Sequence, residues 1–322
     1  MVSTSRPVRF GVMLDNLNAN WPDMVHAYRL VEELGFDTAW DGDHPLDVLD
    51  PNLTNPALDG WSCLAALAAA TTRIRLGCLV TGNTYRHPAI LAKIATTVDH
   101  VSKGRLDFGL GAGWSEEDHV PFGIPFYTRR ERGERLDEAM EVITRLWTEP
   151  KANFSGRYYQ LRDAIAEPKP YQRPFPPVMI GGSGEKLTLR VVAKWASMWN
   201  ASGSPNVFKN KIRVLEERCA EVGRDPQEIE KSVYIQLTFV DDRAQKRAIL
   251  EGRRNIVKRT TGQLISADEA VNGLFLGSSE EIREQVRSFI DVGVTHFILN
   301  EYPPYKLGSL EKFASEVIPS FR

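Results

Sequence analysis

The chain has 322 residues, 42% of them apolar, with 40 Lys and Arg against 42 Asp and Glu for a formal net charge of −2. That length buries a large core, and the even charge balance excludes the basic tract by which a protein grips nucleic acid or an anionic membrane surface. The longest uncharged apolar stretch, Trp61 to Ala70, falls short of the roughly 20 residues of a membrane-spanning helix, and Met1–Pro7 has no apolar signal core, so a cytoplasmic protein acting on a small molecule is expected.

Strand and helix patterns alternate from the start. Arg9–Leu14 reads as a strand, Pro22–Leu34 as a helix stopped at Gly35, and Thr38–Asp43 as the second strand. Trp61–Thr71 is an alanine-rich helix, Ile74–Thr81 the third strand, and Pro88–Ser102 a helix with proline in its first turn. Arg105–Gly113 is the fourth strand, followed by the long helix Thr128–Trp147 with Leu136, Met140, Ile143 and Trp147 on one face. Next come strand Val178–Gly182, helix Glu185–Lys194, strand Met198–Ala201, helix Pro205–Val222 and strand Val233–Val240. The amphipathic helix Glu280–Val292, strand Thr295–Glu301 and Leu310–Phe321 close the chain. Eight strands alternating with helices predict an α/β fold, a (β/α)8 TIM barrel with insertions forming one domain across residues 1–322. The insertions are Asp47–Gly60, Lys151–Pro176, which has hairpin character around Gly156, and Asp242–Phe275. Long loops in compact domains are more often functional than idle, and these three are expected to set the substrate.

Three strand ends carry the candidate chemistry. Asp41-Gly42-Asp43-His44-Pro45 offers an imidazole held in extended geometry by the following proline, with Asp41 and Asp43 beside it to bond or charge-stabilise the ring. Gly109-Leu110-Gly111-Ala112-Gly113-Trp114 removes side chains where something must approach closely. Gly181-Gly182-Ser183-Gly184 opens the Glu185 helix, whose free amides and dipole favour an anion such as phosphate, with Ser183 and the backbone as donors. Cys63, Cys78 and Cys219 are odd in number and far apart, as in a reduced protein without a zinc knuckle, and Cys78 has no base to make it a nucleophile. The six histidines show no ligand spacing, so no metal is expected.

Assembled, these residues resemble the bacterial luciferase-like monooxygenase superfamily, and within it the group using the 8-hydroxy-5-deazaflavin coenzyme F420. The matching segments are Trp40–His44, Arg73–Thr81, Tyr85–Pro88, Ser102–Leu106 through Gly111–Trp114, Pro176–Gly184 and Trp199-Asn200. The resemblance implies a flavin-like ring at the C-terminal ends of the strands and His44 as the catalytic histidine. It also implies cofactor contacts from Asp43, Cys78, Leu79, Thr81, Ala112, Gly113 and Trp114, a phosphate loop at Gly181, Gly182, Ser183 and Gly184, and a homodimer. A non-prolyl cis peptide between Cys78 and Leu79 is expected as a bulge behind the ring. In the group's glucose-6-phosphate dehydrogenases a glutamate acting as acid or base stands where this chain has Trp114, which speaks against that reaction, Glu116 and Glu117 being the substitutes nearest in sequence. Ser197-Met198 likewise replaces a usual Asp-Gly. Two other functions fit the same framework: an FMN-dependent monooxygenase, and a flavin-binding protein without turnover.

Overall fold

The computed structural model describes residues 6–261 and 263–322; most of the stretch read for a signal core, Met1–Ser5, lies outside them. The strands are β1 (Arg9–Leu14), β2 (Thr38–Asp41), β3 (Arg75–Cys78), β4 (Thr81–Gly82), β5 (Phe108–Gly111), β6 (Ala152–Ser155), β7 (Gln160–Ala164), β8 (Val178–Gly181), β9 (Met198–Ala201), β10 (Glu230–Phe239), β11 (Leu274–Gly277) and β12 (Val294–Glu301). Ten of them form one sheet in the order β3-β2-β1-β12-β10-β9-β8-β5-β4, with β11 added to β10. Every pairing in it is parallel. Because β3 and β4 are two pieces of one pass, the sheet closes on itself: Leu76 bridges Leu106, and Thr81 and Gly82 pair with Leu110 and Gly111. This is the barrel that the strand count predicts.

Helices α1 (Trp21–Glu33), α2 (Gly60–Ala70), α3 (Pro88–Val101), α4 (Arg129–Thr148), α5 (Thr188–Trp195), α6 (Pro205–Val222), α7 (Arg243–Thr261), α8 (Ala267–Ala270), α9 (Ser279–Ile290) and α10 (Leu307–Glu316) surround it. Local chemistry fixes their ends. The Ser204 hydroxyl accepts from the Val207 amide ahead of Pro205 and Gly223 stops α6 at φ 69°, while Ser278 and Glu281 form a reciprocal capping box on α9. Among the described residues no helix is long and apolar enough to cross a membrane.

The barrel interior is layered. Its N-terminal end is polar, with Arg9 paired to Glu230 at 2.9 Å, Arg75 to Asp107 at 2.5 Å, and the Thr38 hydroxyl bonded to His296 at 2.9 Å. A greasy middle layer of Met13, Trp40, Met179, Met198 and Ile298 seals that end from the other. Outward-facing residues such as Phe10, Leu76, Cys78, Phe108 and Phe297 pack beneath the helices. Polar groups above the Met–Trp layer can therefore exchange only with the C-terminal mouth.

Three expectations need correction. The strand Ile74–Thr81 is not continuous: it breaks at Leu79 and Val80, whose peptide bond is cis, one peptide beyond the expected Cys78–Leu79 position. The helix expected from Glu185 begins at Thr188, because a turn over residues 185–187 intervenes and Leu187, at the cap, has no side-chain acceptor for it. The insertion Asp242–Phe275 holds α7, α8 and the start of an extra strand, β11, which pairs with Gln236–Phe239 of β10 beyond the reach of β9. Lys151–Pro176 does contain the hairpin, as the antiparallel pair β6–β7.

Candidate active site

The C-terminal strand ends surround a cavity of about 620 Å³. His44, Leu79, Thr81, Ala112, Gly113, Trp114 and the whole turn Gly181–Gly184 line it, together with Asp15, Tyr85, Arg129, Asn200, Tyr234 and Tyr302. Parallel strands deliver their ends to one face, so residues far apart in sequence meet here.

His44 leaves the end of β2 with its side chain 22% exposed, and its Nδ1 lies 2.6 Å from Oδ2 of Asp118. The Tyr85 hydroxyl donates to the same oxygen at 2.7 Å. Asp118 is fully buried, and its other oxygen, Oδ1, has no partner among the described residues. A carboxylate on Nδ1 fixes the ring so that Nδ1 donates and Nε2 is left for a bound molecule. Burial alone pushes the His44 pKa down, but the hydrogen bond and charge of Asp118, with the charges of Asp15 and Asp43, outweigh it and raise it above the ordinary imidazole value. The Trp114 indole stands edge-on to the ring at 5.6 Å and is itself 65% exposed at the mouth.

Asp43 and Cys78, placed against the cofactor by the resemblance, do not line the cavity. Asp43 is buried in a forked pair with Arg86 at 2.7 and 3.0 Å, an arginine that also reaches Asp59. Burial raises the Asp43 carboxyl to about 6 against the pull of that guanidinium. Cys78 follows the strand alternation outward into the layer beneath the helices, where burial pushes its thiol pKa well up. Thr81 is at the wall, its hydroxyl accepting from the Trp61 indole at 2.8 Å.

The glycines answer first to the chain itself. A Cβ on Gly109 would lie 1.9 Å from the Cys78 carbonyl oxygen, and one on Gly111 or Gly181 would lie 2.7 Å from a Val80 methyl. They make room for the break between β3 and β4, which brings Leu79 and Val80 into the cavity floor. Gly182 has φ +117°, a conformation that side chains rarely adopt. Its amide donates to the Asn200 carbonyl at 2.9 Å and its carbonyl accepts from the Trp199 indole at 2.8 Å. Trp199 is thus fully buried and holds the turn from behind. The amides of Ser183 and Gly184 donate to no acceptor among the described residues, and Arg129, exposed beside them, forms no ion pair there.

Four contributors had little or no sequence signal. Asp118 is the third acid of Glu116-Glu117-Asp118; Glu116 and Glu117, the expected substitutes for a missing carboxylate, are exposed and do not line the cavity. Asp15, after β1, is 5% exposed and lines it. Burial raises the Asp15 carboxyl to about 6, in spite of the Leu17 amide and His44. Tyr234 and Tyr302, with hydroxyls 3.2 Å apart, complete that side. Among the described residues of the three insertions, those that line the cavity are Val48 and Leu49 of Asp47–Gly60.

The barrel, its interrupted third strand and a histidine at the mouth define a known class. The chain belongs to the luciferase-like monooxygenase family, whose model matches residues 1–296. It is 28% identical over 313 residues, 90% of each chain, to an F420-dependent glucose-6-phosphate dehydrogenase of Kineococcus radiotolerans. It is also 31% identical over 213 residues, 62% of this chain and 74% of the other, to an uncharacterized protein of Mycobacterium tuberculosis. Among solved structures it resembles an F420-dependent secondary alcohol dehydrogenase in complex with an F420-acetone adduct, at TM-score 0.83 and 22% identity over 98% of this chain and 100% of that one. A long-chain alkane monooxygenase is similar at TM-score 0.82 and 17% identity, over 98% and 91% of the two chains.

Proposed function

We propose that the protein is an F420-dependent oxidoreductase that transfers a hydride between C5 of the deazaflavin and a small organic substrate. The observation that carries the reading is His44, fixed at Nδ1 by buried Asp118, in one cavity with an anion-ready turn at Ser183-Gly184 and with Arg129, which has no ion pair among the described residues. The relatives with F420-dependent dehydrogenase activity, aligned over about the whole chain, support it.

The residues present fit that cofactor. Leu79 and Val80 floor the cavity, and Gly111, Gly181 and Gly182 border it with backbone alone. Ser183, the amides of the turn and Arg129 would hold a phosphate, and the groove alongside, about 810 Å³, adds Arg130, Lys186 and Lys211 for further negative charge. When bound, the deazaflavin accepts or gives up the hydride. His44 holds or releases the accompanying proton at Nε2, and Asp118 keeps its ring turned and favours its charged form. Trp114 and the tyrosines shield the centre from water. The enzyme acts as a single domain across 1–322, as a cytoplasmic homodimer, with no nucleic acid or membrane partner; gel filtration with light scattering tests the dimer.

Titration with F420 and with FMN, followed by oxygen uptake with each reduced cofactor, tests the reading. Tight F420 binding with substrate-dependent change in its absorbance and negligible oxygen uptake is expected. FMN binding with substrate-dependent oxygen consumption overturns it in favour of a monooxygenase.

A further inference from the structure

Charge is segregated across the barrel mouth. In the closed ring β1 lies opposite β8, and β12 opposite β5. The β5–β8 side carries Arg129 and opens into a groove where Arg130, Arg132, Lys186 and Lys211 outnumber one lining acid, Glu185, with Lys211 paired to Glu185 at 2.7 Å and Arg130 to Glu134 at 2.6 Å. The β1–β12–β10 side presents Asp15, Leu17, Tyr302 and Tyr234, with Val48 and Leu49 from the loop after β2. Among the described residues lining the cavity, no lysine or arginine stands on that second side.

Asp15 is built into this position. Its Oδ1 accepts from the Leu17 amide at 3.0 Å, and the Tyr305 hydroxyl donates to its backbone carbonyl at 2.8 Å. Its Oδ2 has no protein donor among the described residues, so the carboxylate offers an acceptor and a negative charge to whatever enters. The Tyr234 and Tyr302 hydroxyls, 3.2 Å apart, offer a donor to a neutral oxygen. Leu17, Val48 and Leu49 supply apolar contact.

We propose that this side binds an uncharged substrate carrying a hydroxyl or carbonyl on an apolar body, and that Asp15 excludes phosphate esters and carboxylates. An anion seated there meets the Asp15 charge in a partly dry site, where the nearby group able to carry a positive charge, His44, is already paired to the Asp118 carboxylate. The cofactor's negative charge has its own place on the opposite side, so the two ligands are sorted by charge. The assignment rests on the oxidoreductase reading for what happens to the substrate, but not for what binds.

Saturation-transfer NMR on the cofactor-free protein, with inorganic phosphate saturating the turn at Ser183-Gly184, tests it with cyclohexanol, cyclohexanone, cyclohexanecarboxylate and cyclohexyl phosphate as probes. The neutral pair is expected to bind several-fold to about tenfold better than the anions at neutral pH, the scale on which one like charge in a partly dry site acts. Asp15→Asn should bring the anions to near parity, and Tyr302→Phe should weaken the neutral pair selectively. Equal binding of anions and neutrals by the wild-type protein, absence of binding by either, or a ratio unmoved in Asp15→Asn overturns the assignment. Failure of F420 to bind in a separate titration removes the oxidoreductase reading and leaves this contrast standing or falling by itself.

Discussion

Replacing Asp118 by Asn tests the centre of the site with almost no change of shape. The substitution removes the charge 2.6 Å from His44 Nδ1 while keeping an oxygen able to accept from it and from the Tyr85 hydroxyl. Asp118 is fully buried and His44 only partly exposed, and a hydrogen bond to a charged group is worth about 1.5–3 kcal/mol. If the proton reaches or leaves Nε2 in the rate-limiting step, that loss appears as roughly a 10–150-fold fall in kcat at about 1.36 kcal/mol per tenfold. The pH profile should move too. Asp118 holds the His44 pKa up against burial, so the variant's His44 limb should lie at lower pH than the wild type's. The stability contribution has the matching sign. His44 paired to Asp118 stabilises the fold fully below the free imidazole value of about 6.5, and the gain fades as pH rises through the raised folded value. The assay is steady-state turnover against pH for wild type, Asp118→Asn, His44→Ala and the double variant, with thermal melts alongside. Asp118 acts through His44, so the double variant should be no slower than His44→Ala. Additive losses, or near wild-type kcat with an unmoved pH limb in Asp118→Asn, would refute the positioning role.

His44→Ala should lower kcat by about 10²–10⁴-fold, the usual scale for a general acid or base, with F420 affinity nearly unchanged; a variant that fails only because it has lost the cofactor would make His44 a binding residue. Gly182→Ala puts a Cβ 3.3 Å from a Thr188 methyl at φ +117°. It should weaken F420 binding while the circular dichroism stays that of a folded barrel, and unchanged affinity would place the phosphate elsewhere. Asp15→Asn should raise Tm by an amount that grows with pH. Burial lifts the folded Asp15 value to about 6 from about 3.9 in the unfolded chain. The wild type therefore loses stability as pH climbs between those two values, and the variant does not. A Tm difference that shrinks over that window contradicts the assigned burial.

The barrel was legible because period-two apolar strands such as Arg9–Leu14 and helices stopped by glycine at 35 and 223 are local signals, each set by a few consecutive side chains. The break after β3 came only from the resemblance, and one peptide early, since Leu79 and Val80 are the residues a continuous strand would carry. The glycines at 109, 111 and 181 do mark a close approach. What approaches is the chain's own Cys78 carbonyl and Val80 methyls, and no local pattern tells an internal neighbour from a ligand. Acid–base partners are harder still, because they are made by the closed ring rather than by any segment. His44 and Asp118 are 74 residues apart, and within Glu116-Glu117-Asp118 the inward-facing acid is chosen by the turn in which the Asp118 amide bonds the Ser115 hydroxyl at 3.2 Å. In that turn Glu116 and Glu117 stay exposed, Glu117 accepting from the Ser115 hydroxyl at 3.1 Å, and Asp118 meets the imidazole. A missing glutamate at position 114 therefore does not leave the mouth without carboxylates: Asp118 stands behind the histidine and Asp15 faces it from β1. With one acid behind the imidazole, the site keeps Trp114 edge-on to the His44 ring at the mouth and leaves Asp15 as a carboxylate that an entering molecule meets.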